Sequence, residues 1–150
     1  MKKIIIITIL AVYGLVFSEQ KSLAQNDGWQ TDFEKAKKEA AEKKLPILAV
    51  FSGSDWCAWC MELEKTIFSK NEFKSFARES VILFQADFPD SKKLPESLTK
   101  QNEELAQKYG VETFPTLLIL NAEGKVIART GYRPEGATKY VEHLKGLIKG

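Results

Sequence analysis

The sequence predicts a mixed α/β fold: a central sheet of parallel and antiparallel strands with helices on both faces. Two apolar runs, residues 47–51 (ILAVF) and 116–120 (TLLIL), are unbroken rather than alternating, the pattern of strands buried on both faces. Stretches of helical period separate the candidate strands, and two strand–helix–strand steps make the central pair parallel. After the turn Asn121-Ala122-Glu123-Gly124 the chain returns as a hairpin, which adds antiparallel pairing.

The amino terminus sets the compartment. Lys2 and Lys3 precede an apolar run over residues 4–17, broken by Thr8 and Gly14, and Ser22-Leu23-Ala24 puts small residues before a cut. This is the order of a secretory signal peptide, with cleavage expected after Ala24 or, as a second option, after Ser18. The run is shorter than the ~20 residues a membrane-spanning helix needs. The expected organisation is therefore a signal peptide over 1–24 and one domain over 25–150, periplasmic or secreted. Removing 24 residues, three lysines and one glutamate among them, leaves 126 residues with 19 basic and 19 acidic side chains. No basic block or aromatic–basic interleaving is present, so nucleic acid is not an expected partner. No thiol lies near either cut to carry a lipid.

The remaining elements follow in order. Residues 31–44 read as a helix, with Thr31 and Glu34 as a capping box, Phe33, Ala36 and Ala40 on one face, and Glu34–Lys38 and Glu39–Lys43 as charge pairs. Pro46 stops it, strand 47–51 follows, and Ser52-Gly53-Ser54 turns. From Cys57 a helix carries Met61, Leu63, Glu64, Ile67 and Phe68 and pauses near Ser69-Lys70; Asn71 is the expected cap of a second piece bearing Phe73, Phe76 and Ala77. Residues 81–88 (VILFQADF) read as a strand and 89–101 as a polar insertion with two prolines. A short helix over 102–109 ends at Gly110. The hairpin 116–130 leads to a closing helix over 134–149 with Tyr140, Val141, Leu144 and Ile148 inward.

Cys57 and Cys60 are the only two cysteines, and Trp56 and Trp59 precede them. A redox pair, a metal site and a structural staple are the three readings. A disulfide across so small a loop removes little chain entropy, so the staple has the weakest motive. Thiol exchange suits the placement: helix amino termini and Cys-x-x-Cys pairs lower a thiol's pKa from ~8.5 into the range ~3.5–7.5. Cys57, at the helix start, is the candidate nucleophile, and Cys60, one turn inward, the resolving thiol. Trp56 and Trp59 supply an apolar platform for a substrate peptide, or pack locally. The cysteine pair is itself the redox centre, so no cofactor is expected.

DWCAWC after a buried strand, together with TFPTLLIL downstream, resembles the thioredoxin superfamily over roughly residues 32–147. Within it the chain is similar to secreted bacterial thioredoxin-like proteins and to the soluble thiol domain of thiol:disulfide interchange proteins. The resemblance implies a thioredoxin-like fold, with Pro115 cis and facing the dithiol, and with Thr113 and Phe114 offering backbone groups to a substrate strand. It implies disulfide-containing proteins as substrates, a membrane electron donor and a monomeric state. The chain also departs from the pattern. Ala58-Trp59 stands between the cysteines, His143 on the closing helix is the only histidine, and Val50 occupies the place of a buried aspartate. Glu62 and Glu64 read as exposed helix charges, and Asp55 as a helix cap.

Zinc lacks ligands here, since only one distant histidine joins the two cysteines. Copper(I) has a soft set in Cys57, Cys60 and Met61, which makes a copper carrier one alternative. A redox-inactive interaction module on the same fold is another. The expected activity is an exported thiol–disulfide oxidoreductase, working as a reductase or isomerase.

Overall fold

The computed structural model of the chain describes residues 28–150; the expected leader, 1–24, and its cut lie outside them. Five strands form one sheet in the order β1-β3-β2-β4-β5: β1 (Trp29–Gln30), β2 (Ile47–Ser52), β3 (Ile82–Asp87), β4 (Thr116–Leu120) and β5 (Val126–Thr130). β3 runs parallel to both β1 and β2, whereas β4 is antiparallel to β2 and to β5.

The unbroken apolar runs are explained by two cores, one on each face. Leu48 and Val50 of β2 point to one side, with Leu83, Leu117 and Ile119; Ile47, Ala49 and Phe51 point to the other, with Phe84 and Leu118. Successive strand residues alternate between faces, so a strand covered on both sides has no polar position to spare. The first face is covered by α2 (Ala58–Leu63), α3 (Asn71–Ser80) and α5 (Ala137–Lys149), the second by α1 (Phe33–Lys43) and α4 (Glu96–Tyr109). α2 runs on into a π-helical turn over Glu64–Phe68, whose Ile67 and Phe68 are buried. Among the described residues no helix is long and apolar enough to cross a membrane.

Several local expectations are corrected. The cap of α1 is Asp32, whose Oδ1 accepts from Lys35 N at 3.0 Å, so the capping box at Thr31 does not form as expected. Glu34 pairs with Lys37 at 2.8 Å rather than with Lys38, while the Glu39–Lys43 pair is present. Asn71 is the first residue of α3, not its cap; Lys70 holds that position without a side-chain bond. The second half of the polar insertion is helical, since α4 begins at Glu96. α4 is held by part-buried polar contacts: Asn102 Nδ2 donates to the Asp87 carbonyl at 2.9 Å, and Gln101 Oε1 accepts from Phe33 N at 2.9 Å. β1 has no counterpart among the expected strands. Two residues carry no periodicity, and its place is set by pairing with β3 and by Trp29 lying against Phe68, 5.1 Å between centroids. The hairpin turn is built on Asn121, whose Oδ1 accepts from Lys125 N at 2.8 Å, with Gly124 at φ 82°. Of the four inward residues expected on α5, Ile148 is only half-buried.

Candidate functional site

β2 ends at Ser52, and the chain bends back so that the amides of Trp56 and Cys57 both meet the Gly53 carbonyl, at 3.4 and 3.0 Å. Gly53 is required by proximity: a Cβ there would lie 2.3 Å from the Trp56 ring. Cys57 then takes the N-cap position of α2, and its Sγ accepts from Cys60 N at 3.3 Å. The cap of α2 is thus a cysteine sulfur. Asp55 is therefore not the helix cap, as expected from sequence. Its carboxylate reaches across to the loop after β3, accepting from Asp90 N at 2.9 Å, Ser91 N at 2.8 Å and the Ser91 hydroxyl. The Ser91 hydroxyl bond, then the Asp90 amide, lower the Asp55 pKa to about 2.

Cys57 and Cys60 are joined in a disulfide with Cα atoms 5.2 Å apart. Both are only 6% exposed. The tryptophans beside them are the opposite: Trp56 is 50% and Trp59 62% exposed, where large apolar side chains are usually covered. Neither is loose. Trp56 Nε1 donates to the Phe88 carbonyl at 2.7 Å, and its ring stands edge-on to Phe114 at 5.9 Å. Phe114 in turn packs on Phe88 at 5.0 Å. Trp59 stacks on Tyr132 at 5.6 Å, and these two line a shallow depression with Pro115 and Pro134. The Phe114–Pro115 peptide bond is cis. Thr113 is exposed, and its carbonyl accepts from Thr116 Oγ1 at 2.7 Å.

The residues singled out from sequence therefore gather around one end of the sheet: Trp59 shares a depression with Pro115, and Trp56 touches Phe114. Met61 is 47% exposed on the same helix. Val50 is buried and faces the same cavity as Cys60, so no carboxylate stands at that strand position. Glu64 is exposed and Glu62 half-buried. His143 lies elsewhere, with Nε2 2.9 Å from Thr130 Oγ1, and burial lowers its pKa. Among the described residues no group of three or more His, Cys, Asp or Glu converges as a metal site.

Sequence reasoning missed Tyr132, Pro134, Phe88 and Asp87. Asp87 accepts from both the amide and the hydroxyl of Ser54, at 2.9 and 2.7 Å, and pairs with Lys92 at 3.3 Å, pinning the dithiol turn to the end of β3. The one available signal was a carboxylate at the end of a mostly apolar strand. Tyr132 had none, because its partner Trp59 is 73 positions away in the chain.

Comparison with known proteins gives these features a context. The family model of the thioredoxin-like domain matches residues 33–145. The disulfide bond reductase DsbH of Chlamydia pneumoniae is 36% identical over 126 residues, covering 84% of this chain and 75% of that protein. The thiol:disulfide interchange protein DsbD of Photorhabdus laumondii is 32% identical over 99 residues, covering 64% of this chain but only 16% of that longer protein. A solved structure of the DsbH oxidoreductase superposes with a TM-score of 0.77 at 36% identity, over 81% of this chain and 83% of that one.

Proposed function

From the premise that this chain belongs to the thioredoxin-like family and is a thiol–disulfide oxidoreductase, we propose that it is exported and reduces or isomerises protein disulfides, with Cys57 attacking and Cys60 resolving. The observation that carries the assignment is the position of Cys57 at the cap of α2, with its sulfur accepting the Cys60 amide. A backbone N–H donating to sulfur stabilises the thiolate over the thiol, and the open helix end adds to it.

In the reduced protein the Cys57 thiolate attacks one sulfur of a substrate disulfide. A Cys57–substrate bond forms, the substrate bond breaks, and the departing sulfur takes up a proton. Cys60, one turn along the helix, then attacks Cys57, forming the internal disulfide and releasing the second substrate thiol. Two electrons pass from the dithiol to the substrate. The exposed Trp56 and Trp59 and the backbone of residues 113–115 are the proposed docking surface. The positions of Trp56 against Phe114 and Trp59 beside Pro115 support that reading. The name of the DsbH relative, a disulfide bond reductase, favours the reducing direction, and a membrane thiol protein is the proposed source of electrons. A monomer suffices, because both thiols and the docking groups lie on one chain.

Trapping tests the assignment. Cys60→Ala keeps the attack and removes the resolution, so mixed disulfides accumulate in the exporting cell and vanish with reductant on gels; Cys57→Ala accumulates none. Adducts on Cys57→Ala and none on Cys60→Ala would reverse the two roles.

A further inference from the structure

Behind the dithiol, Cys60 borders a cavity of about 230 Å³ whose wall is mostly apolar, with Val50, Leu63 and Phe68 among its lining. Polar side chains interrupt that wall: Ser52 of β2, Ser54 in the turn after it, and Gln85 of β3. Ser52 is 5% exposed, and Gln85 Nε2 donates to its Oγ at 3.1 Å. The sheet register explains the meeting. Gln85 lies opposite Val50 in the parallel pair, and Ser52, two residues past Val50, falls on the same face. Having accepted from Gln85, the Ser52 hydroxyl still has its own proton to donate.

The resolving step needs this polarity. Cys60 is 6% exposed, and apolar surroundings favour the neutral thiol over the thiolate. Its attack on Cys57 requires that the proton leave, and Val50 offers no acceptor. The cavity has far more room than one water needs, and water settles where two or more polar groups face it.

We infer that Ser52 and Gln85 hold water against Cys60 and form the route by which its proton departs during resolution, an assignment that rests on the thiol-exchange reading above. Both are positioning residues, since neither touches the substrate. The Cys60 S–H gives its proton to the cavity water, which passes it outward to solvent. The freed electron pair forms the Cys60–Cys57 bond as the Cys57–substrate bond breaks. The substrate sulfur leaves with that bond's electrons and takes a proton from solvent. The charged groups facing this space are Glu64 and Lys65 from the π-helical turn, and Asp87 of β3 behind Ser54. β1 contributes only the Trp29 ring.

The two steps separate in time when the reduced protein meets the chromogenic disulfide 5,5′-dithiobis(2-nitrobenzoate). Attack by Cys57 releases the first coloured thiolate, and resolution by Cys60 releases the second. Ser52→Ala and Gln85→Leu are expected to slow the second phase about tenfold or more at neutral pH, less than the ~10²–10⁴-fold of a positioned acid or base because each variant leaves the other polar group in place. They should also move its pH midpoint upward and leave the first phase unchanged. Gln85→Glu, which supplies an acceptor of the same length, should restore the second phase. Should Gln85→Leu not fold, Ser52→Ala, which deletes one oxygen, decides alone. An unchanged second phase, or equal slowing of both phases, would overturn the inference. Absence of even the first phase in the wild type would instead sink the exchange reading itself, and this one with it.

Discussion

Cys57 caps α2 with its own sulfur, which explains how its neighbours are used. An oxygen cap at Asp55 would start the helix two residues earlier; with Cys57 in the cap position, Asp55 instead ties down the 90–91 segment. Because only Cys57 receives that N–H, its thiolate should form at lower pH than that of Cys60. Residue-resolved alkylation rates against pH check this, and faster labelling of Cys60 would contradict it. The Asp55 carboxylate has a folded pKa of about 2 against an ordinary 3.8. A depressed carboxylate stabilises the fold fully above its unfolded value, and the contribution is lost as pH falls from 3.8 towards 2. The Ser91 amide resonance should therefore titrate near that lower value, and Asp55→Asn should abolish the titration. Gly53→Ala should drive the Trp56 ring off its Phe88 bond, a loss of roughly 0.5–1.5 kcal/mol, and red-shift the tryptophan emission. An unchanged emission and unchanged stability would show that the turn relaxes to admit the methyl.

At the scale of elements, α5 is fastened to the loop after β5 by Tyr140, a fully buried side chain whose hydroxyl donates to the Gly131 carbonyl at 2.7 Å. Burial raises its pKa well above the usual tyrosine value of 10.0. The sign follows: the neutral hydroxyl is favoured in the fold, so the stabilisation is intact below 10.0 and drains away as pH rises above it. Tyr140→Phe leaves Gly131 without its partner and should cost about 1–3 kcal/mol at neutral pH. It should also flatten the loss of stability in alkali. Urea midpoints at pH 7 and above 10 test both. Elements were legible in the sequence in proportion to their length and periodicity. Strands 47–51 and 116–120 announced themselves by unbroken apolar runs and α5 by its inward stripe. β1, at two residues, and the start of α4, among prolines and lysines, had no local pattern to show.

For the molecule as a whole, the two-core sheet leaves one end open, and the dithiol, the cis proline and the exposed tryptophans collect there. That arrangement suits a protein that meets large, loosely held partners rather than enclosing a small ligand. Export is part of the proposal and has its own test: the mature protein recovered from the producing cell should begin at Gln25 by mass. Retention of Lys2 and Lys3 in a membrane fraction would count against cleavage after Ala24 and favour an uncleaved anchor.

Adjacency along the chain is what the sequence by itself determined. Apolar runs against helical periods set the element order, and Cys57 three residues before Cys60 set the chemistry, because each depends on neighbours within one turn or one strand. Tertiary structure alone decided which distant side chains meet around that motif. Ser52 finds Gln85 and Ser54 finds Asp87 across 33 positions, Asp55 finds Ser91 across 36, and Trp59 finds Tyr132 through the loop after the hairpin. Those pairings rest on strand register and on the path of loops, and a one-residue slip in β2 against β3 would turn Ser52 to the opposite face. The polar groups beside the buried cysteine are therefore set by the sheet, while the cysteine pair itself is set by the motif.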